Sequence, residues 1–420
     1  MLFTDLQLDE RLQRAVVEAG YEETTPVQTA AIPIALAGGD IVGTAQTGTG
    51  KTAAFVLPIL NSLITVPAKR GLTRALIVTP TRELAEQIHQ SIRQLARFTK
   101  IKSATVYGGV GFPSQERALR QGTEIIVACP GRLLDHVRRG NARLGNVEIL
   151  VLDEADRMLD MGFLPPVREI VAEASRRRQS MMFSATFAPE LNRLAKEILD
   201  NPERVEVGHV APATTIEHTL LPVAQEQKTA LLLQLLEETK TKSVLVFTRT
   251  KHRADRVARQ IEQAGRSIAV LHSNRSQGQR QTALDGFRSG KFEILCATDI
   301  AARGLDIATI SHVINYDIPD TADAYIHRIG RTGRAEHTGD ALTFVTADDH
   351  GTVRDIERAL GEPINVRKVE GYDYGRPTMI VSHGGGRGGS APTSWSSRGN
   401  GGAKGGGWNR SSGRKASRRH

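Results

Sequence analysis

At 420 residues the chain is longer than one typical domain, and a scale of about 150 residues per domain suggests two or three. Apolar (40%) and charged (24%) contents are ordinary globular values, and no apolar run approaches the ~20 residues of a membrane span, so a soluble chain with sizeable cores is expected. The net charge of +9 sits almost wholly from Gly371 onward, where nine Lys or Arg face Asp373 alone and give +8, leaving +1 for the rest; phosphate affinity in the folded part must therefore come from local clusters, whereas the tail is a general polyanion binder.

The opening MLFTDLQLDE has acids and no basic region, unlike a secretory signal, and a cytoplasmic location is expected. Cys129 and Cys296 stand far apart without metal-ligand spacing, which points to small buried hydrophobes rather than a disulfide framework or zinc site. Two amphipathic helices are predicted over 9–19 and 26–36. The apolar pair Ile41-Val42 then leads into AQTGTGKT (45–52), followed by a helix-like run from Ala53 to Leu63. A glycine-rich turn between strand and helix folds its N–H groups inward and adds the helix dipole, which suits phosphate. In that reading Ala45, Gln46, Thr47, Gly48, Thr49 and Gly50 form the cradle, Lys51 reaches the outer phosphates and Thr52 ligates Mg²⁺. The alternative is a turn with a surface lysine.

Short apolar runs at 75–79, 104–107, 124–128, 148–152 and 181–184 alternate with helical patterns such as 82–98, as in a parallel sheet covered on both faces. The fourth run ends in Asp153-Glu154-Ala155-Asp156. An acid at the carboxyl end of such a strand points into the ligand crevice. Asp153 is placed to share Mg²⁺ with Thr52, and Glu154 to orient or deprotonate an attacking water.

From 201 to 214 periodicity fades and Pro and Gly increase, marking a linker, set at 206–214. Strand-like runs resume at 243–247, 267–271, 292–297, 312–316 and 341–345 without a second Gly-Lys-Thr, so the second α/β unit (215–370) is expected to assist a nucleotide held by the first (1–205). Residues 371–420 are low-complexity and expected to be disordered. They hold both tryptophans, Trp395 and Trp408, on which bases can stack.

With these motifs in order, the sequence resembles the DEAD-box family of ATP-dependent RNA helicases over about residues 1–365. The resemblance implies two tandem RecA-like parallel-sheet domains with ATP and Mg²⁺ as cofactors. Phe3, Gly20-Tyr21, Pro26 and Gln28 match its adenine-reading Q motif, with Gln28 facing the adenine edge and Tyr21 packing on the base. Pro80-Thr81-Arg82, Gly108-Gly109 and Gly131-Arg132 line RNA in the first domain by that resemblance. Thr248-Arg249, Gln277, Arg280, Thr298 and Arg303 do so in the second. Ser184, Thr186, Asp156 and His327 couple nucleotide state to RNA state, Asp306 faces the ribose, and Arg331 and Arg334 reach across to the transferring phosphoryl group. The Gly-rich basic tail and short N-terminal extension resemble the bacterial RhlE-type branch.

Two positions depart from the family. Cys129 stands where Thr is usual, replacing a hydroxyl by a weak thiol donor and leaving the backbone amide to serve RNA. Ser273 stands where Gly is common. The function implied is RNA-stimulated ATP hydrolysis with local unwinding of short duplexes or remodelling of RNA–protein particles; an ATP-gated RNA clamp or scaffold is the alternative. Single-stranded RNA and short duplexes are the expected partners, with little sequence preference in a monomeric core. Ribosomal precursors and RNA-decay enzymes are candidate physiological partners.

Overall fold

The computed structural model describes residues 1–45, 48–66, 71–206, 216–238, 243–302, 310–332 and 339–374. Seven strands form the first sheet: β1 (Ile41–Thr44), β2 (Ala75–Val78), β3 (Ser103–Val106), β4 (Ile125–Ala128), β5 (Ile149–Leu152), β6 (Gln179–Ser184) and β7 (Glu203–Glu206). Seven more form the second: β8 (Ile216–Pro222), β9 (Val244–Phe247), β10 (Ile268–Leu271), β11 (Ile294–Ala297), β12 (His312–Asn315), β13 (Gly339–Val345) and β14 (Asn365–Val366). All pairings in both sheets are parallel. The order is β3-β4-β2-β5-β6-β1-β7 in the first and β10-β11-β9-β12-β13-β8-β14 in the second. The second sheet thus repeats the first strand for strand, and the tandem RecA-like reading holds.

The uninterrupted apolar runs follow from burial on both faces. Alternate residues face opposite ways, so Ile77, Val127 and Val151 join the core on one side of the first sheet while Val78, Ile126 and Leu150 join that on the other. Helices α1 (Glu10–Glu18), α2 (Pro26–Leu36), α3 (Lys51–Thr65), α4 (Arg82–Leu95), α5 (Phe112–Arg120), α6 (Pro130–Arg138) and α7 (Ala155–Asp160) belong to the first domain. No described helix is long and apolar enough to cross a membrane.

The expected loss of structure from residue 201 is corrected by β7, which pairs with β1. Only Val205 of β7 is buried, so this edge strand carries too little apolar signal to be read. Residues 207–214 of the expected linker lie outside the described residues. At the other end, Tyr372 and Tyr374, the second and fourth residues of the expected tail, still pack against the second domain's core, and Tyr372 donates its hydroxyl to the Gln227 carbonyl (3.0 Å). The remainder of that tail lies outside the described residues.

The central strand β1 carries one positional constraint. A Cβ on Gly43 would overlap the ring of Phe183 on the adjoining β6. Gly43→Ala should therefore destabilise the first domain by about 1–3 kcal/mol through overpacking, lowering the first thermal transition, and the added Phe183→Leu should recover most of the loss. A Gly43→Ala protein melting like the parent would contradict this packing.

Candidate nucleotide and RNA site

Every site residue of the first domain that the sequence singled out after β1 ends a strand, as Ser184 ends β6, or follows the carboxyl end of one. Ala45 extends β1, its amide donating to the Ser184 carbonyl at 3.0 Å. Gly48 and Gly50 both take φ of +90°, which L side chains avoid, and Gly50 starts α3. The loop is fastened from α2: Thr25 donates its hydroxyl to the Thr49 carbonyl (2.8 Å) and Gln28 donates Nε2 to the Gly50 carbonyl (3.0 Å). A Cβ on Gly50 would collide with the Gln28 amide. Gln46 and Thr47 lie outside the described residues.

This geometry revises the role read for Gln28. Its Oε1 accepts from the Thr25 amide (2.9 Å) while its Nε2 is given to Gly50, and the residue is 5% exposed. One N–H and one lone pair remain for a base edge. The amide's first duty is to hold the loop. Tyr21 stacks on Phe3 with ring centroids 5.3 Å apart, beside the loop. Phe3, Tyr21, Gln28, Gly48, Gly50, Lys51, Thr52, Asp153 and Glu154 line one cavity of about 470 Å³, so the structure joins the Q-motif and loop residues to the two acids.

Lys51 is buried, donates Nζ to the Ala45 carbonyl at 2.8 Å and stands 3.9 Å from Asp153 Oδ1. Burial pushes the Asp153 carboxyl up to about 6, against the pull of Lys51. Burial also works to raise Glu154, but Arg157, Lys51 and Arg331 together outweigh it and hold that carboxyl below the usual range. Two adjacent acids are thus driven apart in proton affinity. Glu154 is ionised at neutral pH, paired to Arg157 at 3.0 Å, and takes the left-handed conformation (φ 53°, ψ 54°), a strained state for a side-chain-bearing residue.

Asp156 meets Ser184-Ala185-Thr186 as the coupling reading expects. Its Oδ2 accepts from the amides of Ala185 and Thr186, both at 3.0 Å, its own amide donates to Ser184 Oγ (3.1 Å), and Ser184 Oγ donates to the Thr186 carbonyl (2.7 Å). From the second domain, Arg331 is buried, donates Nε to the His327 carbonyl (3.2 Å), and its charge acts on Glu154 of the first domain. Arg303, Asp306 and Arg334 lie outside the described residues.

The RNA-side residues divide. Arg82 lies over Gly108-Gly109 so closely that a Cβ on Gly109 would overlap its guanidinium. Arg132 donates to the Val110 carbonyl at 2.9 Å, with Gly131 exposed beside it. Pro80 is buried, and Thr81 caps α4 by accepting from the Leu84 amide. In the second domain, Arg249 is exposed and pairs with Asp320 at 3.2 Å, while Thr298 is half-buried. Thr248 has no exposed surface, and its hydroxyl donates to the Thr250 carbonyl (3.4 Å).

Gln277 and Arg280 meet the first domain: Gln277, half-buried, donates Nε2 to Glu83 at 3.4 Å, and Arg280, buried, pairs with the same carboxylate at 2.9 Å. At Cys129 the amide left for RNA is already given to the Val106 carbonyl (2.9 Å), and burial raises the thiol to about 12, so neither group is open.

Sequence reading missed Glu83, Thr25 and Arg157 as working residues. Glu83 directly follows the matched Pro80-Thr81-Arg82, but nothing local indicates that it binds Gln277 and Arg280 of the other domain. The loop fastening gives a direct test. Gln28→Ala, which removes the bonds to the Gly50 carbonyl and the Thr25 amide, and Thr25→Val, which removes the bond to the Thr49 carbonyl, should each weaken nucleotide binding about fivefold or more in calorimetric titration without RNA, at roughly 1 kcal/mol per bond. Undiminished affinity in both would remove the fastening role.

Comparison with known proteins agrees with this geometry. The model of the DEAD/DEAH box helicase family matches residues 25–194, and that of the helicase conserved C-terminal domain matches 227–336. The DEAD-box ATP-dependent RNA helicase CshA of Geobacillus kaustophilus is 41% identical over 357 residues, covering 85% of this chain and 76% of its own. A Listeria monocytogenes CshA is 40% identical over 372 residues, covering 88% and 71%. Among solved structures, Saccharomyces cerevisiae Dbp5 bound to RNA and ADP BeF3 is 30% identical with a TM-score of 0.78, covering 88% of this chain and 95% of that one. The DEAD-box helicase Mss116 bound to ssRNA and UDP-BeF is 26% identical with a TM-score of 0.80, covering 88% and 80%. The fastened phosphate loop, the paired acids and these relatives together place the chain in the DEAD-box family of ATP-dependent RNA helicases.

Proposed function

We infer that this ATP-dependent RNA helicase works by closing its two domains over ATP and one RNA strand together, separating short duplexes locally or remodelling RNA–protein assemblies. The observation that carries this reading is the pairing of Arg280 of the second domain with Glu83 of the first at 2.9 Å, with Arg331 of the second near enough for its charge to act on Glu154. Hydrolysis then needs both domains: Lys51 and the loop hold phosphate, Glu154 orients the attacking water, and Arg331 with Arg334 offsets charge on the transferring group. Asp306 is assigned to the ribose, and Arg303 and Thr298 to RNA or the interface.

Mg²⁺ suits the residues present. Among the described residues no three His, Cys, Asp or Glu cluster around one point, and a buried Asp153 carboxylate with the Thr52 hydroxyl fits a cation held mainly by phosphates and water rather than by a protein cage. Thr52 and Asp153 would hold it, and it would neutralise phosphate charge.

RNA binding is assigned to Arg82, Gly108, Gly109, Arg132 and Arg249, contacts that address the backbone and favour no sequence. Gln277 and Arg280 are better assigned to domain closure through Glu83, and Asp156, Ser184, Thr186 and His327 to its coupling with nucleotide. A cytoplasmic monomer acting on ribosomal precursors or decaying RNA belongs to the same proposal. So does placement in the RhlE-type branch, which rests on the Gly-rich basic tail.

ATP turnover should rise on addition of single-stranded RNA, and Glu154→Gln should lower it by about 10²-fold or more while retaining ATP binding. A short labelled duplex should be released when ATP is supplied. Equal turnover with and without RNA contradicts the closure mechanism, and long-lived retention of the duplex indicates an ATP-gated clamp.

A further inference from the structure

The first domain carries a cluster that joins Arg132, one of its RNA-side residues, to His136 and Arg139, which the family motifs leave unassigned. Arg132, His136 and Arg139 stand at i, i+4 and i+7 of α6 and its C-cap, so they share one helical face. All three meet one ring. The guanidinium carbons of Arg132 and Arg139 each lie 4.2 Å from the centroid of Phe112, and the His136 ring is 4.6 Å away. Phe112 opens α5, three residues after Gly109.

The two arginines differ in what occupies them. Arg132 gives one N–H to the Val110 carbonyl, which fixes its direction. Arg139 is exposed and, among the described residues, its guanidinium meets only the ring, so its fork of donors faces solvent already ordered by stacking. The acids bordering the cluster leave it largely uncompensated: Glu116 pairs with Arg120 and Asp135 is exposed. His136 has no exposed surface, and burial first, then Arg132, holds its imidazole below the usual range. It adds bulk beneath the ring without a third positive charge.

We propose that Arg139, aligned with Arg132 on Phe112, is a further RNA-phosphate contact that carries the strand's path from Gly108-Gly109 and Arg132 to the far end of α6. A nearly neutral core gains affinity only from such local clusters, and an arginine pre-ordered on an aromatic face loses less entropy on pairing with phosphate than a free one. Phe112 is here a positioning residue, and Arg139 is the group that touches RNA. This inference rests on the RNA reading of the first domain.

The test measures binding of a fluorescent single-stranded RNA of about twenty nucleotides to the full chain with a non-hydrolysable ATP analogue, across salt concentrations. Arg139→Ala should weaken binding about threefold to tenfold and flatten the slope of log affinity against log salt by roughly 0.7, the value for one single-strand phosphate contact. Arg139→Lys should restore the slope but only part of the affinity, since charge returns without stacking. Phe112→Leu should reproduce the affinity loss with an unchanged melting temperature. Nucleotide affinity without RNA should be unaffected in all three.

If the parent binds RNA with a steep slope and Arg139→Ala matches it, the contact is overturned and the RNA reading stands. If the parent itself fails to bind RNA, that reading falls and the contact with it.

Discussion

The structure turns on a buried ammonium and carboxylate at the carboxyl edge of a parallel sheet. Lys51 and Asp153 are 6% and 2% exposed and stand 3.9 Å apart. Such a pair loses hydration that its mutual attraction offsets only in part, and the raised affinity of Asp153 for a proton is the visible residue of that cost. A site held in this condition is completed by a charged ligand. The second domain shows the contrast. Lys228 starts the helix after β8, as Lys51 starts the helix after β1, and stands 3.8 Å from Asp317, which follows β12 as Asp153 follows β5. There the loop is Val223-Ala224-Gln225-Glu226-Gln227, without glycines, and Lys228 donates into the Tyr316 carbonyl at 3.0 Å. Arg253 also pairs with Asp317, at 2.5 Å. The same scaffold position is therefore closed and satisfied in one domain and open to a ligand in the other.

That asymmetry explains how one chain divides its labour. The first domain holds its glycine loop in place by itself, since Thr25 and Gln28 fasten it from α2. The second contributes charge, Arg331 acting toward Glu154 and Arg280 pairing directly with Glu83. Glu154 is held off its relaxed backbone conformation, and its neighbour Asp156 ties the acids to Ser184-Ala185-Thr186 through backbone amides. This short chain of bonds is the contiguous physical route that the proposed coupling would use.

Legibility followed the range of the interaction. Strands buried on both faces were readable because every residue must be apolar, whereas β7, with Val205 alone turned inward, and the two-residue β14 offered no such pattern. Glycines, Lys51 and the strand-terminal acids were readable because phosphate chemistry dictates the residue type. The tasks of Gln28, Gln277 and Arg280 were not, because each depends on a partner brought near only by the fold: Gly50 for the first, Glu83 for the other two. The departure at Cys129 was visible, but the engagement of its amide with Val106 on a neighbouring strand was not.

The central claim is that the hydrolytic site is shared between domains that RNA and ATP bring together. The most direct measurement is the inter-domain distance in solution. Dyes on cysteines introduced at the exposed Lys196 and Gln263 report it selectively, because Cys129 and Cys296 are buried. The account predicts one short distance when ATP analogue and single-stranded RNA are both present, and longer or broader distances with either alone. An identical distance distribution in all four conditions would contradict it.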